Sequence, residues 1–393
     1  MTFYLINRSL PLIQHALLTE ILTSASAVPA GWAFCASLGL SILLVLTKNW
    51  HGRLSLDATE GIQKFHTEPT PRIGGIAVVG AVLVAWNFSA EEVRPWLQQL
   101  ILAGAPALLF GLAEDVSKQV GVLPRLLATM ASGALAWWIT GYSLHRLDVW
   151  GVDALMQFTF ISVLFTAFAV GGVANAINIV DGFNGLASQT AALAFVGYAV
   201  MAQSMGDSQL AGMSLILGAC VWGFFWVNWP LGKIFLGDGG SYFIGFSLAW
   251  VAVMLIERHP TVSVFAVLLP CMYPVTEVLF SVYRRKVRKE HPGAPDRLHF
   301  HSLVKRRYVA RWFRHRSTAA RNSITGLLVG SMTLPAVMLA YLTAQSLALS
   351  VVAVLLLGMG YVTLYARMVR HHWCSPIDFL FIRPVRRPHF KSL

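Results

Sequence analysis

The stretch NAINIVDGFNGLA, Asn175 to Ala187, lies between two long apolar runs and sets Asn175, Asn178, Asp181 and Asn184 at every third position. On a helix, steps of three keep Asn175, Asn178 and Asp181 within about one third of the circumference. Gly182 and Gly185 then loosen the backbone, so the stripe is expected to end where a helix opens into a loop. A carboxylate kept between two membrane-grade segments is costly unless it binds something. A helix end capped by Asn and Asp is the plainer alternative.

Working outward, hydrophobic residues make up 56% of the 393 residues and charged residues only 12%, and the mean hydropathy is +0.62. A soluble domain carries about twice that charged fraction. The chain therefore reads as an all-α polytopic membrane protein with the lipid bilayer as its main surroundings. Apolar stretches long enough to span recur about eleven times, at 29–47, 73–89, 96–113, 121–140, 154–174, 186–205, 208–229, 241–257, 260–282, 324–345 and 347–366. Residues 1–28 form a leader or interfacial segment, 29–366 the membrane domain with a basic loop at 283–323, and 367–393 a basic tail. Four cysteines, three of them inside apolar segments, suggest no disulfide framework.

The net charge of +12 invites a nucleic-acid reading until the charge is located. Thirteen Lys or Arg residues lie between Arg284 and Arg321, and others fall in alternate connections. This is the positive-inside pattern. It implies no nucleic-acid partner, a cytoplasmic C-terminus and a periplasmic N-terminus. Within the basic loop, Val304, Tyr308 and Trp312 are four apart and interleave with Lys305, Arg306, Arg307, Arg311 and Arg314. An interfacial helix over Leu303–Arg316 is expected there, with aromatics in the interface and cations among anionic headgroups.

Five polar clusters fall in connections on the expected cytoplasmic side. One runs from Lys64 through His66 and Arg72 to Gly75, with Pro69 and Pro71 holding it extended; its cations could hold a phosphate. Glu114-Asp115 ends the third span, where adjacent carboxylates repel unless a cation or proton separates them. The stretch around Asp181 is the third cluster. The fourth, FLGDGGS from Phe235 to Ser241, frees the backbone to wrap a ligand and offers Asp238 as a hard oxygen donor for Mg2+. In the fifth, PDRLHFH, Arg297 precedes His299 and His301, which lie two apart and would face the same side of an extended segment. Carboxylates, a glycine-rich Asp turn and cations on one face suggest Mg2+-assisted phosphoryl chemistry, with Mn2+ as the alternative ion. A secondary transporter is the main rival, although such proteins place their charges nearer the midplane and often show repeats.

NAINIVDGFNGLA and FLGDGGS, with PRIGG and the late HxH in the same order, resemble the bacterial polyprenyl-phosphate N-acetylhexosamine-1-phosphate transferases over roughly residues 40–370. The peptidoglycan translocase acting on phospho-MurNAc-pentapeptide is a more distant relative. The resemblance implies that undecaprenyl phosphate attacks the β-phosphorus of a UDP-N-acetylhexosamine and releases UMP. It implies the initiating step of O-antigen or another surface polysaccharide, at the cytoplasmic face of a bacterial inner membrane. Dimers are common among such proteins, which makes a homodimer the assembly the resemblance implies.

By the same resemblance, Asp238 binds the metal with Asp115, and Phe235 stacks on uracil. Asp181, Asn175, Asn178 and Asn184 belong to the nucleotide-side cluster. His299 and His301, with Arg297, contact the diphosphate or sugar, and Lys64, His66 and Arg72 hold the prenyl phosphate. Glu114 takes the place of the first of two aspartates, the position favoured for a general base. The sequence departs from the family at three places: Glu114 stands for Asp, Asn184 for the second Asp of DGxDG, and Ser302 for a His in HxHH. These departures argue against the peptidoglycan translocase itself.

Overall fold

The computed structural model describes residues 26–57, 69–289 and 298–371. The leader up to Ala25, Lys64, His66, Arg297 and the tail beyond His371 lie outside the described residues. The long helices are α1 Ala27–Leu46, α2 Gly74–Phe88, α3 Arg94–Ser117, α4 Val122–Thr140, α5 Thr159–Val180, α6 Leu186–Ser204, α7 Ser208–Asn228, α8 Gly237–Arg258, α9 Val264–Arg288, α10 Thr318–Thr343 and α11 Leu347–Arg370. The α9 and α10 rods are interrupted, α9 by a 3-10 turn at Leu269–Cys271 that contains Pro270, as expected of proline inside a helix.

The chain is an all-α polytopic membrane protein, but the crossing count differs from the sequence reading. Nine helices among the described residues are long and apolar enough to cross a membrane, against the eleven expected. Helix α2 has 15 residues, about 22 Å at 1.5 Å per residue, short of a hydrocarbon core of about 30 Å. Helix α6 is not among the nine; it buries Ser188, Gln189 and Thr190 in its first turns. Both helices pack inside the bundle, so their apolar residues serve protein contacts as well as lipid.

Helix α8 is the axis of the fold. Its span is 94% buried, against 22% for α11 and 28% for α1. A helix apolar on every side needs such an enclosure. Small residues allow the close approach, as is common where helices meet in lipid. A Cβ on Gly245 of α8 would lie 2.6 Å from the Ala174 Cα of α5, and one on Gly111 of α3 would lie 2.5 Å from the Gly239 Cα.

The two extended residue pairs Leu56–Asp57 and Thr70–Pro71 form a short antiparallel ladder, with Leu56 opposite Pro71 and Asp57 opposite Thr70. Pro71 O accepts from Phe235 N at 2.8 Å, Phe235 O accepts from Gly74 N at 3.0 Å, and Leu236 O accepts from Gly75 N at 2.9 Å. The PRIGG and FLGDGG segments, far apart in the chain, are thus stitched together by backbone bonds. Gly237 follows at φ +77, and a side chain there would meet Arg72 O at 2.1 Å. Only glycine takes that conformation in that space.

Candidate active site at one end of the bundle

Asp115 is fully buried near the end of α3, and both its oxygens face the first turn of α8. Oδ1 accepts from Asp238 N at 2.8 Å and Oδ2 from Gly239 N at 2.9 Å. A helix start leaves such N–H groups unsatisfied, and an anion there is favoured by the helix dipole. Asp115 thereby fixes the backbone that carries Asp238. The Arg72 guanidinium lies 3.6 Å from it.

Asp238 is itself 5% exposed and is the meeting point of the site. Its Oδ1 accepts from Arg72 at 3.1 Å and from Asn178 Nδ2 at 3.0 Å, and its Oδ2 pairs with Arg125 of α4. Asn178 also donates to Ser241 Oγ at 2.9 Å. The sequence reading missed Arg125 by counting it within an apolar span. The signal was available: a cation in the first turn of a helix opposes the dipole and needs a carboxylate partner.

Asp181 caps the end of α5, and the chain turns through Gly182 to Gly185, at φ +81, into α6. The helix-to-loop transition read from the Asn stripe is found there. Asp181 is only partly exposed, and crowding by protein pushes its carboxyl up to about 7; Arg72 opposes the shift, while Asp238 and Asp115 add to it. Its side chain accepts no hydrogen bond among the described residues. It stands between the Asp238 group and the histidines, because His301 Nε2 lies 3.3 Å from where a Gly182 side chain would begin.

The three asparagines part company. Asn178 joins Asp238, but Asn175 donates to Thr129 Oγ1 at 3.1 Å and Gly171 O at 2.8 Å, tying α5 to α4. Asn184 is buried and donates to Ser323 of α10 at 3.0 Å. Neither Asn175 nor Asn184 is brought to Asp238. Successive steps of three drift around the helix by about 60° each, and the loop then carries Asn184 away.

His299 and His301 sit at the start of the short helix Phe300–Val304, their rings stacked at 5.3 Å. They share one side as the spacing predicted, though at a helix start rather than along an extended run. Glu277, fully buried within α9, takes His299 Nδ1 at 2.8 Å, Phe300 N at 3.1 Å and the Tyr361 hydroxyl at 2.9 Å. His301 Nδ1 meets the Tyr273 hydroxyl at 3.1 Å, and its ring stands edge-on to Phe183 at 5.4 Å. Lys305 Nζ lies 5.3 Å over the same Phe183 ring, and burial, with Arg321 nearby, brings its ammonium down to about 8. Glu277 and Phe183 were not singled out in the sequence, and Lys305 was read there as a headgroup cation rather than as a buried neighbour of the histidines. An acid inside an apolar span was the available signal for Glu277.

Glu114 is partly exposed, and its Oε2 accepts from Val120 N at 2.7 Å, closing the turn after α3. Phe235, also partly exposed, is held by the backbone bonds to Pro71 and Gly74. The structure thus gathers Arg72, Asp115, Asn178 and Asp238 around the start of α8, with Asp181 beside them, His299 and His301 beyond Asp181, and Glu114 and Phe235 at the margin.

Residues 97–256 match the model of glycosyl transferase family 4. That stretch includes Asp115, Arg125, Asn178, Asp181 and Asp238, and leaves out Arg72 and both histidines. A probable undecaprenyl-phosphate N-acetylglucosaminyl 1-phosphate transferase of Bacillus subtilis (strain 168) is 26% identical, covering 61% of this chain and 66% of its own length. An undecaprenyl-phosphate alpha-N-acetylglucosaminyl 1-phosphate transferase of Yersinia pestis is 27% identical, covering 62% and 68%. A decaprenyl-phosphate N-acetylglucosaminephosphotransferase of Mycobacterium tuberculosis (strain CDC 1551 / Oshkosh) is 30% identical, covering 60% and 65%. The chain therefore spans about two thirds of the length of these relatives.

Proposed function

We propose that this chain, whose residues 97–256 match the model of glycosyl transferase family 4, transfers an N-acetylhexosamine 1-phosphate from a UDP-sugar to undecaprenyl phosphate. The observation that carries this reading is Asp238, one buried carboxylate at a helix start, shared by two arginines and an asparagine from three other segments. Two guanidinium groups and a helix N-terminus, converging with carboxylates beside them, suit a diphosphate better than a closed structural pair.

In the reaction, an oxygen of the lipid phosphate attacks the β-phosphorus of the donor. The bond from that phosphorus to the bridging oxygen breaks, UMP leaves, and a lipid diphosphate sugar forms. Arg72 and Arg125 would exchange part of their hold on Asp238 for phosphate oxygens, and so offset charge where it develops. Phe235 would carry the uracil. His299 and His301, oriented through Glu277 and Tyr273, would contact the diphosphate or sugar with the Nε2 atoms that face away from those partners.

Asp238 and Asp115 would hold Mg2+. The ion commonly takes one or two carboxylates and completes its shell with water and substrate phosphates. The donor set fits that pattern in number: Asp115 and Asp238 both stand at the start of α8, Asp115 on its backbone N–H groups and Asp238 among Arg72, Arg125 and Asn178. When bound, the ion would supply charge neutralisation on the diphosphate. Glu114 keeps one oxygen uncommitted to Val120 and would take the remaining proton of the lipid phosphate. Asp181 is the second candidate for that proton, because burial pushes its carboxyl up to about 7.

The positive-inside pattern supports a cytoplasmic site, where UDP-sugars are found, and the role proposed there is the start of a cell-surface polysaccharide. The test is UMP release by the purified protein in detergent with undecaprenyl phosphate, Mg2+ and a panel of UDP-N-acetylhexosamines. Lipid-dependent UMP formation is expected with at least one donor. No lipid-dependent UMP with any donor would sink the reading.

A further inference from the structure

A second group of cations lines a cavity of about 400 Å3 beside the last turn of α11. Arg306, Arg307 and Arg311 reach it from the helical stretch after His301, and Arg367 and His371 from α11. That stretch passes through a wider π-type turn at Lys305–Val309 and ends at Trp312, earlier than the Leu303–Arg316 helix expected from the sequence. The turn buries Lys305 and Val309 and leaves Arg306 and Arg307 exposed. Arg306 Nε donates to Ser302 O at 3.2 Å. No acidic side chain among the described residues pairs with Arg307 or Arg311.

The surroundings indicate depth. Along α11, Leu349, Leu355, Leu356 and Met359 are exposed, an apolar surface of the kind lipid tails cover. The cations begin where that surface ends. Tyr308 lines the cavity with its ring 5.1 Å from that of Trp312, and Trp312 is 66% exposed. Aromatics beside cations at the end of an apolar helix are the arrangement found at the headgroup level of a bilayer.

We propose that this cavity holds the phosphate of an anionic phospholipid headgroup, with Tyr308 and Trp312 at the glycerol level. A free phosphate shares the ionic chemistry but gives no reason for the exposed aromatic and the adjoining apolar surface. The proposal stands apart from the transfer reaction and does not depend on it.

The test uses the full chain in nanodiscs containing brominated phosphatidylglycerol or brominated phosphatidylcholine. The Trp312 contribution to emission is the difference between the protein and its Trp312→Phe variant. Phosphatidylglycerol should quench it at roughly a tenth of the mole fraction that phosphatidylcholine requires. The Arg307→Gln/Arg311→Gln double variant should lose this preference, and Arg307→Lys/Arg311→Lys should keep most of it. Equal quenching by the two lipids, or a preference that survives the Gln variant, overturns the proposal. Relief of quenching by inorganic phosphate at constant ionic strength would make the cavity a free-phosphate site, and so overturns the lipid assignment.

Discussion

The two ends of the helical bundle treat their carboxylates differently. At the end opposite the site, Asp207, Glu257 and Asp148 are each closed off by dedicated partners. Asp207 takes Arg258 at 2.6 and 2.9 Å, His259 at 3.0 Å and the Leu210 N–H at 3.0 Å. Glu257 takes both the backbone and the ring of His145, and Asp148 takes Arg146 and the Val264 N–H. At the other end, Asp238 is shared among Arg72, Arg125 and Asn178, and the Asp181 side chain accepts no hydrogen bond among the described residues. A closed pair fixes where two loops meet. A shared carboxylate holds cations ready for another anion.

The largest expected effect separates the ends directly. Asp238→Asn should lose turnover by on the order of a thousandfold or more, with melting temperature and membrane insertion little changed. Asp207→Asn should do the reverse, keeping most turnover and melting earlier. UMP release and thermal unfolding, measured on both variants, check this; near-normal turnover in Asp238→Asn at saturating Mg2+ would remove that residue from the mechanism.

Next in size, Arg125→Gln should lower kcat/KM by about ten- to a hundredfold, the scale of a charged hydrogen bond of roughly 1.5–3 kcal/mol. Replacing Arg146 at the opposite end should leave kcat/KM within about twofold. Equal losses in the two variants would mean that the contrast between the ends has no functional content.

The proton acceptor comes third. Glu114→Gln should lower kcat about tenfold or more with little change in either KM. The loss should shrink as pH rises, because the lipid phosphate is already a dianion above its second pKa of about 6. If Asp181 is the acceptor instead, the rise of the wild-type rate through about pH 7 should vanish in Asp181→Asn and persist in Glu114→Gln.

The smallest effect concerns stability against pH, where the ends have opposite signs. Burial works against ionised Asp207, but the bonds from Arg258, Leu210 and His259 hold its carboxyl below the ordinary range. Its stabilisation is therefore present above about pH 4 and is lost as pH falls through the lowered folded value. Asp181 is raised to about 7, so the folded state binds a proton that the unfolded chain has released. Its contribution declines as pH rises from about 4 to about 7. Asp207→Asn should flatten the acid side of the stability curve, and Asp181→Asn should flatten the decline toward neutrality. Curves that keep the wild-type shape in both variants would show that neither group is linked to folding.

The sequence by itself determined the membrane class, the place of every long helix and the order of the polar clusters. Lipid cannot satisfy backbone groups, so long apolar runs must be helices, and local composition suffices to find them. It also determined that Asp181 ends a helix, since glycines follow it at once. Tertiary structure alone decided which clusters meet and which helices are short or enclosed. Arg72 and Arg125 reach Asp238 across 166 and 113 residues of chain, and no local pattern encodes such a pairing. The same spacing that grouped Asn175 with Asn178 could not say that one faces α4 and the other α8. That depends on how close two helices come, which Gly111, Gly239 and Gly245 permit only once the helices are packed together.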